Sequence, residues 1–305
     1  MNDRIAGLSI DVDSVASHLG GYGYERPEDD GAAYRLAVPR ALEMLDVMGA
    51  RCTFFLIVEE AVGYPEAVRE IVSRGHEVAS HSMTHQLPFA DLSETRLHRE
   101  VVESKDKLEA VAGVEVLGFR APSWDASPDL VLALIDAGYV YDASSYPSIL
   151  LPLLRRAVAK RSATGRQATR SDIWSGTFGP TRPHRREMAN GSIWEIPIGT
   201  TPVTRLPYYH TLRMLLPAQV FRVVGAAARS RRGPITYQFH AVDFLGLRED
   251  RIDARLERHP GMSGTLEWKL KEAEQAVREL AARRRVVTLL EVATGRKQTG
   301  LTAAA

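Results

Sequence analysis

The stretch Gly75-His-Glu-Val-Ala-Ser-His-Ser-Met-Thr-His85 shows an order of elements that recurs along the chain, a buried strand that ends at polar side chains. The preceding residues, Pro65 to Arg74, have the apolar spacing of a helix, and Glu77 to Ser80 has the composition of a short buried strand. Two histidines follow that strand directly. A helix, a strand and then chemically active side chains form the unit from which parallel α/β proteins are built.

The unit recurs along the chain. Apolar strands are predicted at Ile5 to Val12, Val114 to Phe119 and Ile235 to His240, and each ends at polar or charged side chains. Helical spacing from Tyr34 to Met48 and from Ser263 to Arg284 lies between strands, and Val286 to Val292 is predicted as a closing strand. The sequence therefore predicts a parallel α/β barrel whose site lies at the C-terminal ends of the strands.

Two histidines and a carboxylate are candidates for a metal site. If the backbone turns helically after Ser80, His81 and His85 at i and i+4 share one face and can bind one ion. Asp11 and Asp13 would emerge together at the end of the first strand, so that one binds metal while the other stays free. Either pair alone is more often coincidence, and only their joint occurrence favours a site.

The motifs in order resemble those of the polysaccharide deacetylases, the NodB-homology domain or carbohydrate esterase family 4. They are Ser9-Ile-Asp-Val-Asp-Ser14, Gly75-His-Glu77 leading to His81-Ser-x-x-His85, Arg120-Ala-Pro-Ser-Trp124 and Phe239-His240. The resemblance covers roughly residues 5 to 292. It implies a single-domain distorted (β/α)7-8 barrel with a metal-dependent amidohydrolase activity on linear amides.

The resemblance also implies roles for individual residues. Asp11 would be the general base, His240 the general acid and Arg120 the group that orients Asp11. Asp13, His81 and His85 would hold one divalent metal, Zn²⁺ in first place, with Co²⁺, Ni²⁺, Mn²⁺ or Fe²⁺ as alternatives. The substrate would contact Pro122, Ser123, Trp124 and Asp142, with a structural hydrogen-bonding role as the alternative for Asp142. A backbone N–H near Ser123 or Trp124 would stabilise the oxyanion.

Three positions depart from the commonest family pattern. The usual Asp-Asp pair is Asp11-x-Asp13, as in the branch with aminoarabinose-lipid deformylases and allantoinase-like members, so base and ligand roles could be exchanged. Ser123 replaces an aromatic residue, with Trp124 one place later, and Gln238 replaces the Leu two residues before the acid.

Composition indicates an ordinary globular chain. It has 305 residues, 45% hydrophobic and 25% charged, with a net charge of +1 and one cysteine, Cys52, in an apolar strand. The start of the chain lacks a signal-peptide pattern and no apolar run reaches membrane-spanning length, so we expect a cytoplasmic protein. We expect a barrel over residues 1–292 with a basic insertion at about 147–192, then a disordered tail over 293–305.

Two segments are basic and contain no acidic residue, namely 143–171 and 196–242. Because both segments also carry leucine clusters, they suit a surface that binds phosphates or anionic lipid headgroups at the inner membrane face. The alternative is that they form solvated helices whose positive charge is balanced by acidic residues elsewhere in the fold. Nothing predicts nucleic-acid binding, and the oligomeric state stays open. The expected substrate is an N-acetyl or N-formyl amino sugar on an intracellular nucleotide- or lipid-linked precursor of a surface glycan or glycolipid.

Alternative functions remain from the sequence alone. A small cyclic ureide or amide, as in allantoinase-like members, is the alternative substrate. Two histidines and one carboxylate also occur in non-haem iron oxygenases, but the mixed α/β pattern disfavours their jelly-roll fold. A non-catalytic binding protein is a third alternative, disfavoured because base, acid and all three ligands are present.

Overall fold

Nine strands form one curled sheet in the computed structural model, which describes residues 4–28, 31–150 and 178–299. In spatial order the strands are β6-β7-β5-β4-β3-β2-β1-β8, and β9 also pairs with β1. All pairs are parallel except the β6–β7 hairpin. The strand bounds are β1 (Ile5–Val12), β2 (Thr53–Leu56), β3 (Glu77–Ser80), β4 (Gly118–Phe119), β5 (Tyr141–Asp142), β6 (His184–Met188), β7 (Gly191–Glu195), β8 (Ile235–His240) and β9 (Arg285–Val287).

The sheet curls into a distorted barrel, as predicted. No ladder joins β8 to β7, but the segment that follows β7 lies beside β8, where the Thr236 hydroxyl donates to the Pro197 carbonyl at 2.8 Å. The register pairs Asp11 with both Phe55 and His240, and Ser80 with Phe119. The C-terminal ends of β1, β2, β3, β4 and β8 therefore lie at one level, where the candidate residues were expected.

Helices cover the outside of the sheet, because the strands present apolar side chains on that face. The helices are α1 (Val15–Gly21), α2 (Val38–Met48, preceded by the π-helical turn Ala33–Ala37), α3 (Val58–Ala61), α4 (Pro65–Ser73), α5 (Glu94–His98), which continues through the π-helical turn Arg99–Glu103 into α6 (Ser104–Ala112), α7 (Pro128–Asp136), α8 (His210–Leu215), α9 (Ala218–Arg229), α10 (Leu266–Ala281) and α11 (Leu289–Thr294). None of the helices in the described ranges is both long and apolar enough to cross a membrane.

The barrel interior is polar at both ends and apolar between them. Near the N-terminal ends of the strands, the buried Glu77 carboxylate accepts hydrogen bonds from Thr53 at 2.6 Å, Tyr141 at 2.7 Å and the Leu290 backbone N–H at 3.0 Å. These bonds join β2, β3, β5 and α11, so α11 closes this end of the barrel. Glu77 belongs to the second motif, but its hydrogen bonds hold strands and α11 together at the end of the barrel away from the candidate residues.

Several element boundaries differ from the sequence-based prediction. The closing strand expected to reach Val292 ends at Val287, because Thr288 caps α11 by accepting from the Glu291 N–H. The tail expected to be disordered from residue 293 is ordered as far as it is described: α11 ends at Thr294, and the Gln298 amide bonds both backbone polar groups of Val78.

The region predicted as a basic insertion is partly outside the described residues. Its described C-terminal part contains β6, which was not predicted and which pairs with β7 through a turn at residues 189–190. Residues 151–177, which carry most of the predicted basic side chains, lie outside the described ranges.

Candidate metal centre and active site

Asp13, His81 and His85 come together at the C-terminal ends of β1 and β3. One ligand atom from each lies within 4.8 Å of the other two, and all three side chains are buried. Asp13 Oδ1 is 3.4 Å from His81 Nε2 and 3.9 Å from His85 Nε2. Two imidazole nitrogens and one carboxylate oxygen leave further coordination positions open, as in catalytic zinc sites.

The histidine pair is not on a helix, so the helical turn on which the i, i+4 spacing argument was conditional does not form. Residues 81–85 form a loop in which Ser82 and His85 have positive φ values of 70° and 55°. Glu100 holds this loop, because its carboxylate accepts from the backbone N–H groups of Met83 at 2.9 Å and Thr84 at 3.0 Å and from the Thr84 hydroxyl at 2.6 Å. The two imidazole rings nevertheless lie with their centroids 5.0 Å apart.

Burial sets the charge state of the three ligands. It lowers the pKa of His81 and lowers the pKa of His85 well below its usual range, so both rings are neutral and able to donate a lone pair. Burial, followed by the nearby Asp11 charge, raises the pKa of Asp13 well above its usual range. A cation at this position would act in the opposite direction on Asp13.

The His81 ring has a fixed tautomer. Its Nδ1 lies 2.7 Å from the Arg120 carbonyl oxygen, which can only accept, so Nδ1 carries the proton. Nε2 is therefore the lone-pair nitrogen, and it faces Asp13. This is the arrangement in which a backbone carbonyl orients a metal-binding histidine.

Asp11 is held beside this cluster by Arg120. The guanidinium Nη1 donates to Asp11 Oδ1 and, at 3.1 Å, to the Ser9 hydroxyl, while Nε donates to the Ala143 carbonyl at 3.2 Å. The guanidinium also stacks 4.1 Å from the centre of the Phe55 ring. Because these partners hold the guanidinium on three sides, the orientation of Asp11 is defined as well. Asp13 is the carboxylate that faces both histidine rings.

His240 completes the constellation from β8. Its Nε2 lies 4.0 Å from Asp11 Oδ2, and its ring packs edge-on against Trp124 at 6.4 Å between centroids. These side chains line a cavity of about 220 Å³, together with the metal-ligand candidates and Tyr209. The cavity thus presents carboxylate and imidazole groups on its floor and aromatic rings on one wall.

The turn after Arg120 has two consecutive residues with positive φ, Ser123 at 54° and Trp124 at 53°. Such backbone conformations are strained for side-chain-bearing residues and concentrate at functional sites. The Trp124 N–H donates to the Ala121 carbonyl at 3.0 Å, which leaves the Ser123 N–H as the remaining candidate oxyanion donor of the two.

Two of the predicted substrate-binding residues do not line the cavity. Pro122 and Asp142 are both buried, and the cavity is lined by Ser123 and Trp124 instead. Asp142 accepts from the Ser144 hydroxyl, which in turn accepts from the Ala121 N–H at 2.8 Å. Asp142 therefore supports the third motif from behind, and burial raises its pKa to about 6.

Sequence comparison agrees with this geometry. Residues 29–141 match the family model of polysaccharide deacetylases. The chain is 28% identical over 144 residues to a peptidoglycan deacetylase of Helicobacter pylori, which covers 46% of this chain and 49% of that protein. It is 34% identical over 101 residues to a chitooligosaccharide deacetylase of Sinorhizobium fredii, covering 33% of this chain and 46% of that protein.

By these matches the chain is similar to the polysaccharide deacetylase family. A crystal structure of a Mycobacterium smegmatis protein provisionally named a polysaccharide deacetylase superposes with a TM-score of 0.61 over all of this chain and 96% of the other, at 20% identity. That likeness extends the fold to the whole length of the chain. The chain spans about half the length of the two curated relatives, so their activities are not carried over directly.

Three residues at the site were not predicted. His18, on α1, lines the cavity with Nε2 3.8 Å from Asp13 Oδ2, and burial lowers its pKa to about 3. Gln238, one of the departures from the family pattern, donates to Asp11 Oδ2 at 2.6 Å. Glu100 shapes the histidine loop from α5–α6. Only Gln238 gave a signal in the sequence, because its position already departed from the family.

The basic stretch 196–242 is partly balanced by acids elsewhere, which was the alternative interpretation. Arg213 and Arg229 bond Glu279 of α10, and Arg213 also bonds Glu272 at 2.7 Å. Arg222, on the outer face of α9, is exposed. The surface beside the cavity therefore carries less free positive charge than the sequence suggests.

Proposed function

We propose that this protein hydrolyses a small N-acyl group, acetyl or formyl, from an amino sugar, with one divalent ion held by Asp13, His81 and His85. The observation that carries this proposal is the convergence of Asp11 and His240 on the same cavity as the metal-ligand set, with Asp11 Oδ2 4.0 Å from His240 Nε2. A base, an acid and a metal position around one cavity are the groups that amide hydrolysis needs.

The ligand set fits a zinc ion. Asp13 Oδ1 is buried and has no hydrogen-bond partner among the described residues, His85 Nε2 faces it at 3.9 Å, and His81 presents an unprotonated Nε2. Carboxylate and imidazole donors suit Zn²⁺, with Co²⁺, Ni²⁺, Mn²⁺ and Fe²⁺ as alternatives. When bound, such an ion supplies Lewis-acid polarisation of the acyl carbonyl and acidifies a water molecule.

The protein's own residues would then act in sequence. Asp11, oriented by Arg120, takes a proton from the water molecule as the water oxygen adds to the carbonyl carbon of the acyl group. The Ser123 N–H stabilises the oxyanion, a contribution typically of about 3 kcal/mol. His240 gives a proton to the nitrogen as the C–N bond breaks, so that a carboxylate and a free amine leave.

The substrate class is supported by the cavity and by the relatives. A volume of about 220 Å³ with Trp124 and Tyr209 on one wall suits a compact ring with an N-acyl arm. The two relatives are named deacetylases of peptidoglycan and of chitooligosaccharides, both of which contain N-acetylated amino sugars. We therefore place an N-acyl amino sugar in this cavity.

The first test is acyl release from a panel of substrates. Acetate and formate would be measured with chitooligosaccharides, peptidoglycan fragments, nucleotide-linked and lipid-linked N-acyl amino sugars. We expect release that stops with a chelator and in the Asp11→Asn variant, which should still bind zinc. No release from any sugar, with zinc still bound, would overturn the amino-sugar proposal and favour cyclic ureides such as allantoin.

We further propose that the sugar carries phosphate, on a nucleotide or a lipid at an anionic membrane. Leu215 lines the cavity and is 39% exposed, and α9, which follows it, exposes Val220, Val223 and Arg222. Apolar side chains with an arginine suit a phosphate-bearing carrier or an anionic lipid surface.

Replacing Arg222 tests whether the sugar is attached to a phosphate-bearing carrier. Arg222→Ala should raise KM about two- to fivefold for a phosphate-linked substrate at low salt, because one exposed charge pair is typically worth up to about 1 kcal/mol. It should leave KM unchanged for the same sugar without phosphate. Arg96→Ala, an exposed arginine on α5, is the control. Equal KM values for Arg222→Ala and wild type on both substrates would refute the phosphate carrier.

A further inference from the structure

The groups proposed for hydrolysis lie at the bottom of the cavity. The Asp11 side chain is almost inaccessible, with 3% of the residue exposed, and Asp13, His81 and His85 are buried as well. In an N-acyl amino sugar, only one bond separates the amide nitrogen from the sugar ring. When that nitrogen reaches His240, the ring must therefore have entered the cavity too.

The cavity has room for more than an acyl group. Its volume of about 220 Å³ corresponds to about seven water molecules, at about 30 Å³ for each in the liquid. An acetamido group fills only part of this space. The remainder lies between the aromatic wall of Trp124 and Tyr209 and the side chains of His18 and Tyr22, and it suits one sugar ring.

Contacts between neighbouring loops close the rim of the cavity, beginning at α1. The residue that follows α1 meets the segment before α10, where the Tyr22 hydroxyl lies 3.1 Å from His259 Nδ1. That segment packs on α8 in turn, because a Cβ at Gly261 would lie only 3.0 Å from Met214 Cγ. The rim is therefore continuous from α1 to α8.

The rim continues from α8 to the turn after β4 and then to the histidine loop. Tyr209, at the start of α8, contacts Trp124 with the ring centroids 6.1 Å apart. Asp125, at the end of the turn that contains Trp124, accepts from the backbone N–H groups of Phe89 at 2.8 Å and Ala90 at 3.1 Å. These two residues follow the loop that carries both histidines.

Arg26 completes the rim. Its guanidinium donates to the Thr84 carbonyl at 3.1 Å and to the His85 carbonyl at 2.8 Å, so the strand-like segment after Tyr22 is fastened to the histidine loop. The contacts thus return to the residue from which they began. Within the described ranges, the cavity is enclosed by a ring of loops and opens away from the barrel.

Further bonds hold this rim in place. The Ser17 hydroxyl of α1 donates to Glu60 Oε1 at 2.8 Å. The buried Lys269 ammonium donates to Met262 Sδ at 2.8 Å and to the Val242 carbonyl at 2.6 Å, which ties the segment before α10 to the turn after β8. A preformed cavity with a fixed rim selects its ligands by shape.

We propose that this cavity is a pit that takes one sugar ring, so the protein removes acyl groups from a single carrier-linked amino sugar or from the end of a glycan, and not from its interior. An interior residue carries glycosidic bonds on two sides of its ring, whereas a closed rim leaves one way out. A sugar with a single attachment meets this condition. The inference rests on the proposed hydrolysis and narrows its substrates.

Mapping the position of deacylation tests the pit. Zinc-loaded wild-type protein would be incubated with chitopentaose and with a nucleotide-linked N-acetyl amino sugar, and fragment mass spectra would show which residue has lost its acetyl group. We expect loss from the single sugar, and from chitopentaose at one end only. The end should be preferred by about 100-fold or more, because even one added methylene group can be rejected by about that factor.

Opening the rim is the complementary experiment. Tyr22→Ala and His259→Ala each remove the contact between α1 and the segment before α10, and they should allow acetyl loss from interior residues of chitopentaose. Tyr24→Ala is the matched control, because Tyr24 belongs to the same loop and packs against Arg255 outside the cavity lining. The control should keep the wild-type position profile.

The outcomes separate this inference from the hydrolysis on which it rests. Acetyl loss from interior residues by the wild-type protein would overturn the pit and leave the proposed hydrolysis standing. No release from any sugar would overturn both. An end-only profile in the two rim variants, both folded and still binding zinc, would show that the contact between Tyr22 and His259 does not close the cavity.

Discussion

His76 precedes β3, at the end of the barrel away from the cavity, and both of its ring nitrogens are buried without hydrogen-bond partners among the described residues. Its ring packs edge-on against Phe54. Burial lowers its pKa from 6.5 to about 4, so the folded protein holds this ring neutral. The unfolded chain binds the proton more tightly between these pH values, so stability falls as pH drops from 6.5 to about 4.

His76→Phe should remove this acid sensitivity. A pKa difference of about 2.5 corresponds to about 3 kcal/mol, so the variant should gain about that much unfolding free energy over wild type by pH 4, with little difference at pH 7. Urea unfolding at both pH values measures the two differences, with His98→Phe, at an exposed position, as control. A difference that is the same at pH 4 and pH 7 would contradict the neutral buried ring.

The approach of the candidate site residues to one another could largely be predicted from the sequence. Asp11, Asp13, His81, His85 and His240 were expected to meet, and the structure brings them around one cavity. Their approach was predictable because each follows a parallel strand, and the C-terminal ends of such strands lie together.

The supporting residues could not be named, for a physical reason. Glu100 and His18 reach the site from helices whose position depends on packing across the whole barrel. Asp142 was expected in the cavity but lies behind it, because a two-residue strand gives no pattern from which side-chain direction can be determined.

At the scale of elements, the loop of residues 81–85 depends on a helix that is distant in the sequence. Glu100→Ala would leave the Met83 and Thr84 N–H groups without their acceptor, and the loop that presents both histidines would loosen. Partners that orient metal ligands typically contribute about 10- to 100-fold in metal affinity. We therefore expect zinc affinity to fall by that factor in Glu100→Ala.

Two variants make this prediction specific. Glu100→Gln retains an oxygen that can accept from both N–H groups and should keep most of the affinity, whereas Glu103→Ala, on an exposed position of the same helical segment, should keep all of it. Zinc binding measured by competition with a chromophoric chelator compares the three. An affinity of Glu100→Ala within about threefold of wild type would show that the loop holds its shape without Glu100.

Elements buried on both sides were predicted best. β3 and β8 have the bounds expected from the sequence, because continuous apolar runs between turn residues are typical of central parallel strands. α1 was missed, since its seven residues, including two glycines, have little helical pattern and the Ser14 cap that bonds the Ser17 N–H is a local feature. β6 was missed because its alternating charged residues lie at a sheet edge.

For the whole molecule, the two ends of the barrel hold different sets of buried polar groups. Glu77 and α11 close one end, while the metal-ligand candidates, Asp11 and His240 gather at the other. The sequence predicted the gathering of the candidate residues at the C-terminal ends of the strands, but not the closure of the other end by Glu77 and α11. It could not predict how far the basic segments are neutralised, because Arg213 and Arg229 meet their acidic partners only after α10 packs beside α8 and α9.

The central claim is that one ion at Asp13, His81 and His85 is required for acyl release. Protein stripped of metal and titrated with zinc should regain acyl-release activity in proportion to added zinc and reach a plateau at one equivalent per chain. His85→Ala should need a large excess, because one of the three ligands is missing. Full activity in the stripped protein, or activity of His85→Ala equal to wild type at one equivalent, would contradict the account.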